Sequence, residues 1–301
     1  MSIPNSVIIF GPSGSVGSAT ALQVFREGVK VTLALRDPRK PIPALTGINA
    51  EKVQADLTKP ETIRAAVRQS GAKSAFIYAI FGTPDHMRAS IVALKEAGIE
   101  MVVLLSSYTI QSDIHSVSPD NYVPWVHAQV EVSLEEIYGK DGFVAVRPCY
   151  FASNILWFKA GIQAGQVRHA NPEAEYDWIS PQDIGRVCGS ILARGLKDRV
   201  VWLMGPEKMA LKDAIGVVSL ALGREITVTK ITAAEALEEL VKNGTPEVIA
   251  RWTVRYITED AGYEFKTAVF EEAVGSVLKY THRVPVKFDQ WVAENICRFA
   301  A

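Results

Sequence analysis

Three glycines at a fixed spacing, Gly11, Gly14 and Gly17, lie in "SVIIFGPSGSVGSATAL", between a short apolar run and a helix-like pattern. Small residues at a strand-to-helix turn let backbone approach an anion closely. The helix N-terminus adds free N–H groups and a partial positive charge. That chemistry suits the pyrophosphate of a dinucleotide. The spacing is GxxGxxG rather than GxGxxG, and a tight turn without a ligand carries the same residues. The strand before it and the helix after it favour the phosphate. A P-loop is excluded, because no Gly-Lys-Ser/Thr closes the motif.

The next charged group follows the second apolar run, in "LALRDPRK". Dinucleotide folds often carry an acid here for the adenosine ribose. This chain places Arg36 first, then Asp37, Arg39 and Lys40. A guanidinium pairs bidentately with a 2′-phosphate and stacks on adenine, so NADP(H) is expected in preference to NAD(H). Asp37 can still accept a ribose hydroxyl, and the plainer reading is a solvated, charged turn.

The elements that would position these residues alternate. Apolar strands are expected at "SVIIF", residues 29–35, "EKVQAD", residues 74–80, 101–107 and 143–148. Helices are expected near residues 14–27, 62–69, 85–97 and 127–138. Strands this apolar are covered on both faces, and their alternation with helices implies a parallel sheet. The expected fold is α/β, a doubly wound parallel (Rossmann) sheet with a smaller, mostly helical C-terminal substrate domain. Residues 1–150 would form the dinucleotide-binding part, with residues 178–205 returning to it as a strand, a helix N-capped by Ser180 and an edge strand. Residues 151–177 and 206–301 would form the cap.

The 301 residues suffice for a sizeable core. A formal net charge of −1 argues against broad electrostatic binding to nucleic acid. Three scattered cysteines, Cys149, Cys188 and Cys297, offer neither a zinc motif nor a disulfide framework and fit a reducing compartment. No signal-peptide pattern and no bilayer-spanning apolar run is evident, so a cytoplasmic protein without membrane or metal is expected. Oligomeric state is not readable.

Several segments together resemble a known group. "IIFGPSGSVG", "VKVTLALRDPRK", "VQADLTKPETI", "VAVRPCYFASNI", "ISPQDIGRVCGSIL" and "HRVPVKFDQWVAEN" are similar to the NmrA-like branch of the atypical short-chain dehydrogenase/reductase superfamily. The resemblance spans essentially the whole chain. It implies an NAD(P)-binding Rossmann domain in either of two kinds of protein. One kind reduces quinones, imines or unsaturated and aromatic compounds of secondary metabolism; the other senses redox state by binding cofactor without turnover. Carried over by position, Gly11, Ser13, Gly14, Ser15, Val16 and Gly17 would hold the phosphates and Arg36 the 2′-phosphate. Asp56 and Leu57 would lie beside adenine, and Tyr78, Ala79 and Ile80 beside its ribose. Ser106 and Ser107 would lie under the nicotinamide, walled by Pro148, Tyr150 and Phe151.

The proton-transfer residues depart from the superfamily pattern, in which a Tyr stands four residues before a Lys. Here "NYVPWVHAQVEVSLEE" places His127 where many family members have Lys, with Val123 four residues before it. Tyr122 is one residue out of register, and Pro124 argues against simple helical spacing there. An imidazole titrates near neutrality, so His127 can donate a proton or hydrogen-bond the nicotinamide ribose. It can also be a packed histidine. Tyr122 and Tyr108 are the alternative donors, and Glu131, one turn on, orients His127 or contacts a neighbouring helix. The aromatic stretch "YFASNILWF" with Phe81 and Trp178 suits an apolar or aromatic small molecule, as it also suits an ordinary core. Phe81, Tyr108, Asn154, Trp157 and Trp178 are the substrate-side candidates.

Overall fold

In the computed structural model, which describes residues 6–299, the apolar runs form strands whose apolar side chains are largely buried. Strands β1 (Ser6–Phe10), β2 (Lys30–Leu35), β3 (Glu51–Gln54), β4 (Ser74–Tyr78), β5 (Met101–Leu105) and β6 (Phe143–Pro148) alternate with helices. Those helices are α1 (Ser15–Arg26), α2 (Pro60–Ser70), α3 (Arg88–Glu96) and α4 (Tyr122–Tyr138). Beyond them come α5 (Lys159–Ala164), β7 (Gln166–His169), β8 (Glu175–Tyr176), α6 (Pro181–Arg194) and β9 (Val200–Leu203). The central sheet is parallel, in the order β3-β2-β1-β4-β5-β6-β9. The order reverses between β1 and β4, which opens a crevice at their carboxyl ends, the place where such sheets take ligands.

Two cores cover the two faces of this sheet. On one face α6 lies against α1, at two glycines. A Cβ on Gly185 would lie 2.4 Å from Ala19 Cβ, and one on Gly189 would lie 2.6 Å from Gln23 Cβ. The Asp-Ile-Gly segment is therefore a packing device. Gly185 lets the helices touch, while buried Asp183 accepts the Val286 N–H and pairs with Arg186. Ser180 N-caps α6 as expected, accepting from the Asp183 N–H.

A third core lies outside the sheet. It is built from residues 152–178 and from β10 (Met209–Ala210), α7 (Leu211–Leu222), β11 (Thr227–Lys230), α8 (Ala233–Lys242), α9 (Glu247–Arg255) and α11 (Phe288–Glu294). Three features differ from the expected pattern. Helix α10 (Phe270–Thr281) returns to the sheet side, where Val277 and Tyr280 join the core of α1 and α6, so the cap is not continuous after residue 206. Strand β7 pairs in parallel with β11, a contact between segments distant in sequence. The helix expected from residue 85 starts at Arg88, because His86 and Met87 take positive φ (49° and 66°) while the Asp85 carboxylate accepts the Met87 and Ala89 N–H groups. Among the described residues, no helix is long and apolar enough to cross a membrane.

Candidate dinucleotide and substrate site

The three glycines do different work. Gly11 leaves β1 with φ of 68°, and an added Cβ would lie 2.6 Å from the Tyr78 ring. An added Cβ on Gly17 would lie 2.3 Å from the Gly11 carbonyl oxygen. These two are required by the fold. Gly14 is the N-cap of α1 in extended backbone, and its nearest neighbour is an ordinary 3.5 Å away. The space over Gly14 is thus open to a ligand. The first N–H groups of α1, from Ser15, Val16 and Gly17, have no intrahelical acceptor, and no acid occupies the first turn. Ser13 is exposed on this loop and Val16 is buried under it. The residues fit a pyrophosphate. Gly14→Val is therefore expected to keep a cooperative melt while the thermal shift given by NADPH disappears. An unchanged shift would exclude the cradle.

The residues expected to meet the adenosine lie at the ends of β2, β3 and β4. The Asp37 carboxylate is taken up by Arg39, at 2.9 Å and 3.2 Å. Among the described residues the exposed Arg36 guanidinium forms no ion pair, although it lies near enough to Asp56 and Tyr78 to feel both. Asp56 accepts the Thr58 N–H and hydroxyl, which hold its carboxyl below the usual range. Leu57 is buried beneath this turn, and Ala79 and Ile80 are half-buried at the end of β4.

Among the residues expected near the nicotinamide, α4 starts at Tyr122, five residues earlier than expected. Pro124 sits in the first turn, where a missing N–H costs no helical bond. Tyr122 and His127 thus share one helix, and both meet Phe81, with ring centroids 6.2 Å and 5.4 Å away. His127 Nδ1 is buried with no hydrogen-bond partner. Burial, with the Arg147 charge nearby, pushes the imidazole down to about 4. It is therefore neutral at physiological pH, which corrects the reading of His127 as a ready proton donor and leaves it a neutral hydrogen-bonding group. Among the described residues, the Tyr122 hydroxyl has no hydrogen-bond partner and is uncommitted.

Glu131 does not orient His127. It is buried and binds Arg147 bidentately, at 2.9 Å and 2.6 Å, and accepts the Ser106 hydroxyl at 2.5 Å. Arg147 also donates to the Ile110 carbonyl and faces the Trp202 ring. This ion pair underpins the ends of β5 and β6. Ser107 is bonded to Thr109. Sequence reasoning does not single out Arg147, although a charge inside the otherwise apolar run "FVAVRP" is the available signal.

Tyr108 is a correction. It is buried, its hydroxyl is bonded to Thr267 at 2.6 Å, and burial pushes it up to about 12, so it ties β5 to the residues after α9 and is not a free donor. Trp178 is also a correction. Its indole lies inside the third core with Nε1 bonded to the Met209 carbonyl, and its backbone takes a positive φ of 49°. Pro148 is buried at the end of β6. Phe151 bridges to Ile179, and Tyr150 stacks on Tyr176 at 3.9 Å. Trp157 is 69% exposed and edge-on to Tyr150, and Asn154 is half-buried, its N–H donating to the Phe151 carbonyl.

Two groups missed in the sequence close the crevice from the cap. Trp252 and Arg255 of α9 both donate to the Asn121 side chain, at 2.6 Å and 2.9 Å, beside the start of α4. Two concavities, of about 640 Å³ beside Asn171 and Thr232 and about 250 Å³ beside Ser15 and Gln182, lie away from the residues expected at the nicotinamide, where aromatic rings pack on one another. Among the described residues, no cluster of three or more His, Cys, Asp or Glu is arranged for a metal.

The chain can be compared with known proteins at this point. It is 34% identical to the nitrogen metabolite regulation-like protein bik4 of Gibberella fujikuroi, over 98% of either chain. It is 25% identical to an NAD(P)H azoreductase of Xenophilus azovorans, over 81% of this chain and 83% of that one. Its fold matches the NADPH complex of an NADPH-dependent quinone oxidoreductase from Escherichia coli with a TM-score of 0.74, at 16% identity over 96% and 99% of the two chains. The NmrA-like family model matches residues 4–282, which include the glycine loop, the buried Glu131–Arg147 pair and the Asp-Ile-Gly helix, and the chain accordingly belongs to the NmrA-like family.

Proposed function

We propose that this protein is an NADPH-dependent oxidoreductase acting on a flat, apolar or aromatic small molecule: an enone, ketone, imine or quinone. The observation that carries the reading is the pairing of Asp37 with Arg39, which leaves Arg36 uncommitted beside an open glycine cradle. A free guanidinium at this position recognises a 2′-phosphate, whereas the acid that would favour NAD(H) is occupied. When bound, the cofactor supplies hydride. This chain's residues hold it and shape the acceptor side. The loop N–H groups take the pyrophosphate, neutral His127 hydrogen-bonds the nicotinamide ribose, and Phe81, Tyr122 and Tyr150 present aromatic surface. Tyr122 supplies the proton where the product needs one. The similarity to an azoreductase and to a quinone oxidoreductase supports an aromatic acceptor.

A second reading is an NADP-binding regulator without turnover. The missing Tyr-Lys pair, the neutral His127 and the regulator-like relative support it. Loss of NADPH absorbance against a panel of quinones, enones, ketones and imines separates the two; oxidation with none of them would leave the regulator. Arg36→Ala is expected to weaken NADPH binding by about 1–3 kcal/mol and leave NADH nearly unchanged. Equal losses in calorimetric titrations of both cofactors would remove Arg36 from the 2′-phosphate.

A further inference from the structure

The loops leaving β6 and β9 meet at buried polar groups with no part in the reading above. Asp177 Oδ1 accepts the Tyr150 N–H and Oδ2 accepts the Gly205 N–H, both at 2.7 Å. Asp177 therefore fixes the turn that carries Pro148, Tyr150 and Phe151, the wall of the nicotinamide end. The approach is close: a Cβ on Gly205 would lie 2.0 Å from the Asp177 carbonyl oxygen.

From the cap side comes Glu264, which is fully buried. Its Oε1 accepts the Tyr256 hydroxyl at 3.1 Å, and its Oε2 accepts nothing. Its main-chain carbonyl accepts the hydroxyls of Tyr108 and Thr267. The buried Cys149 thiol lies close enough to both carboxyls to influence them electrostatically. The other titratable groups facing the cluster are Tyr108, Tyr176, Tyr256 and Tyr263, with Asp260 beside Tyr263. Among the described residues no Lys, Arg or His forms an ion pair with Asp177 or Glu264, and the nearby Lys208 ammonium lies over the Phe265 ring.

Two carboxylates in dry surroundings without a cation do not both ionise. Asp177, satisfied by two N–H groups, is the better anion. Glu264, with an orphaned oxygen, is the better place for a proton, because a neutral carboxyl costs far less to bury. We propose that Asp177 and Glu264 are positioning residues of the cofactor site: a proton held on this pair, beside the Cys149 thiol, fastens cap residues 256–267 to the nicotinamide wall, and its loss loosens that wall. The proposal rests on reading the crevice as an NADP(H) site. Burial pushes Glu264 up to about 7 and Asp177 up to about 6. The proton is therefore present in the acid range and leaves as pH rises through neutrality, so the closed wall is favoured below that range and loosened above it.

The test is the NADPH dissociation rate, measured by stopped-flow fluorescence between about pH 5.5 and pH 8.5, in the parent and in Glu264→Gln. The amide keeps an acceptor for Tyr256 and cannot ionise. The parent rate is expected to rise at least about tenfold across this range, and the Gln variant rate to stay within about twofold. His127, pushed down to about 4, stays neutral across this range, and any titration of the cofactor phosphate is common to both proteins. A flat parent profile, or a variant that follows the parent, overturns the proposal. Tyr256→Phe removes a hydrogen bond to the ionised form, so its midpoint is expected to move to higher pH; an unmoved midpoint also overturns it. If NADPH binds at no pH, the cofactor reading fails, and amide exchange of residues 256–267 tests the pair alone. Exchange that accelerates with pH beyond its chemical rate in the parent but not in Glu264→Gln supports the proton latch. Equal acceleration in both overturns it.

Discussion

Tyr122→Phe is expected to lower single-turnover hydride transfer to a carbonyl acceptor by roughly 10²–10⁴-fold, the usual worth of a positioned acid, with NADPH affinity nearly unchanged. Of the three candidate donors, Tyr108 is bonded to Thr267 in a packed core and His127 is already neutral at the pH of the reaction. Tyr122 remains, with an uncommitted hydroxyl and its ring against Phe81 beside His127. His127→Ala should behave oppositely. Removing one neutral hydrogen bond to the ribose should weaken NADPH by about 0.5–1.5 kcal/mol and change the hydride step less. The check is NADPH absorbance in rapid mixing, with cofactor affinity titrated separately. A Phe variant with the parental hydride rate would remove Tyr122 as donor. A large rate loss in His127→Ala with unchanged affinity would restore the imidazole to that role.

Arg147→Met should cost about 3–5 kcal/mol of stability, because it strands the Glu131 carboxylate in a dry interior. The parent pair is almost wholly buried and bidentate, and Ser106 and the Ile110 carbonyl take the remaining polar capacity. Adding Glu131→Leu should recover much of the loss, since replacing both charges avoids the orphan. Chemical denaturation of the two single variants and the double variant measures the coupling. If Arg147→Met costs under about 1 kcal/mol, the pair is not the support of the β5 and β6 ends inferred here.

The sequence by itself determined the sheet and its cofactor loop. Five buried residues running into Gly11 leave few local choices, and the periods of strand and helix repeat often enough to specify a parallel, doubly wound order. Arg36 was legible for the same reason, since its place at the end of β2 follows from strand length alone. Only the tertiary structure decided which chemical groups are free. Whether Asp37 is available depends on Arg39 turning back to it, and whether Tyr108 is a donor depends on Thr267, 159 residues away. The charge on His127, a residue of α4, depends on burial and on Arg147 from β6. Trp178 has the aromatic character of a pocket residue, but its packing on Tyr176 and Phe288 and its bond to the Met209 carbonyl hold it in the cap core. Asp177 and Glu264 come from segments 87 residues apart, and neither segment carries a local signal of the other. Backbone periodicity is a local property that neighbouring residues write into the chain. Protonation and hydrogen-bond commitment depend on dielectric and partners, which long-range folding alone brings together.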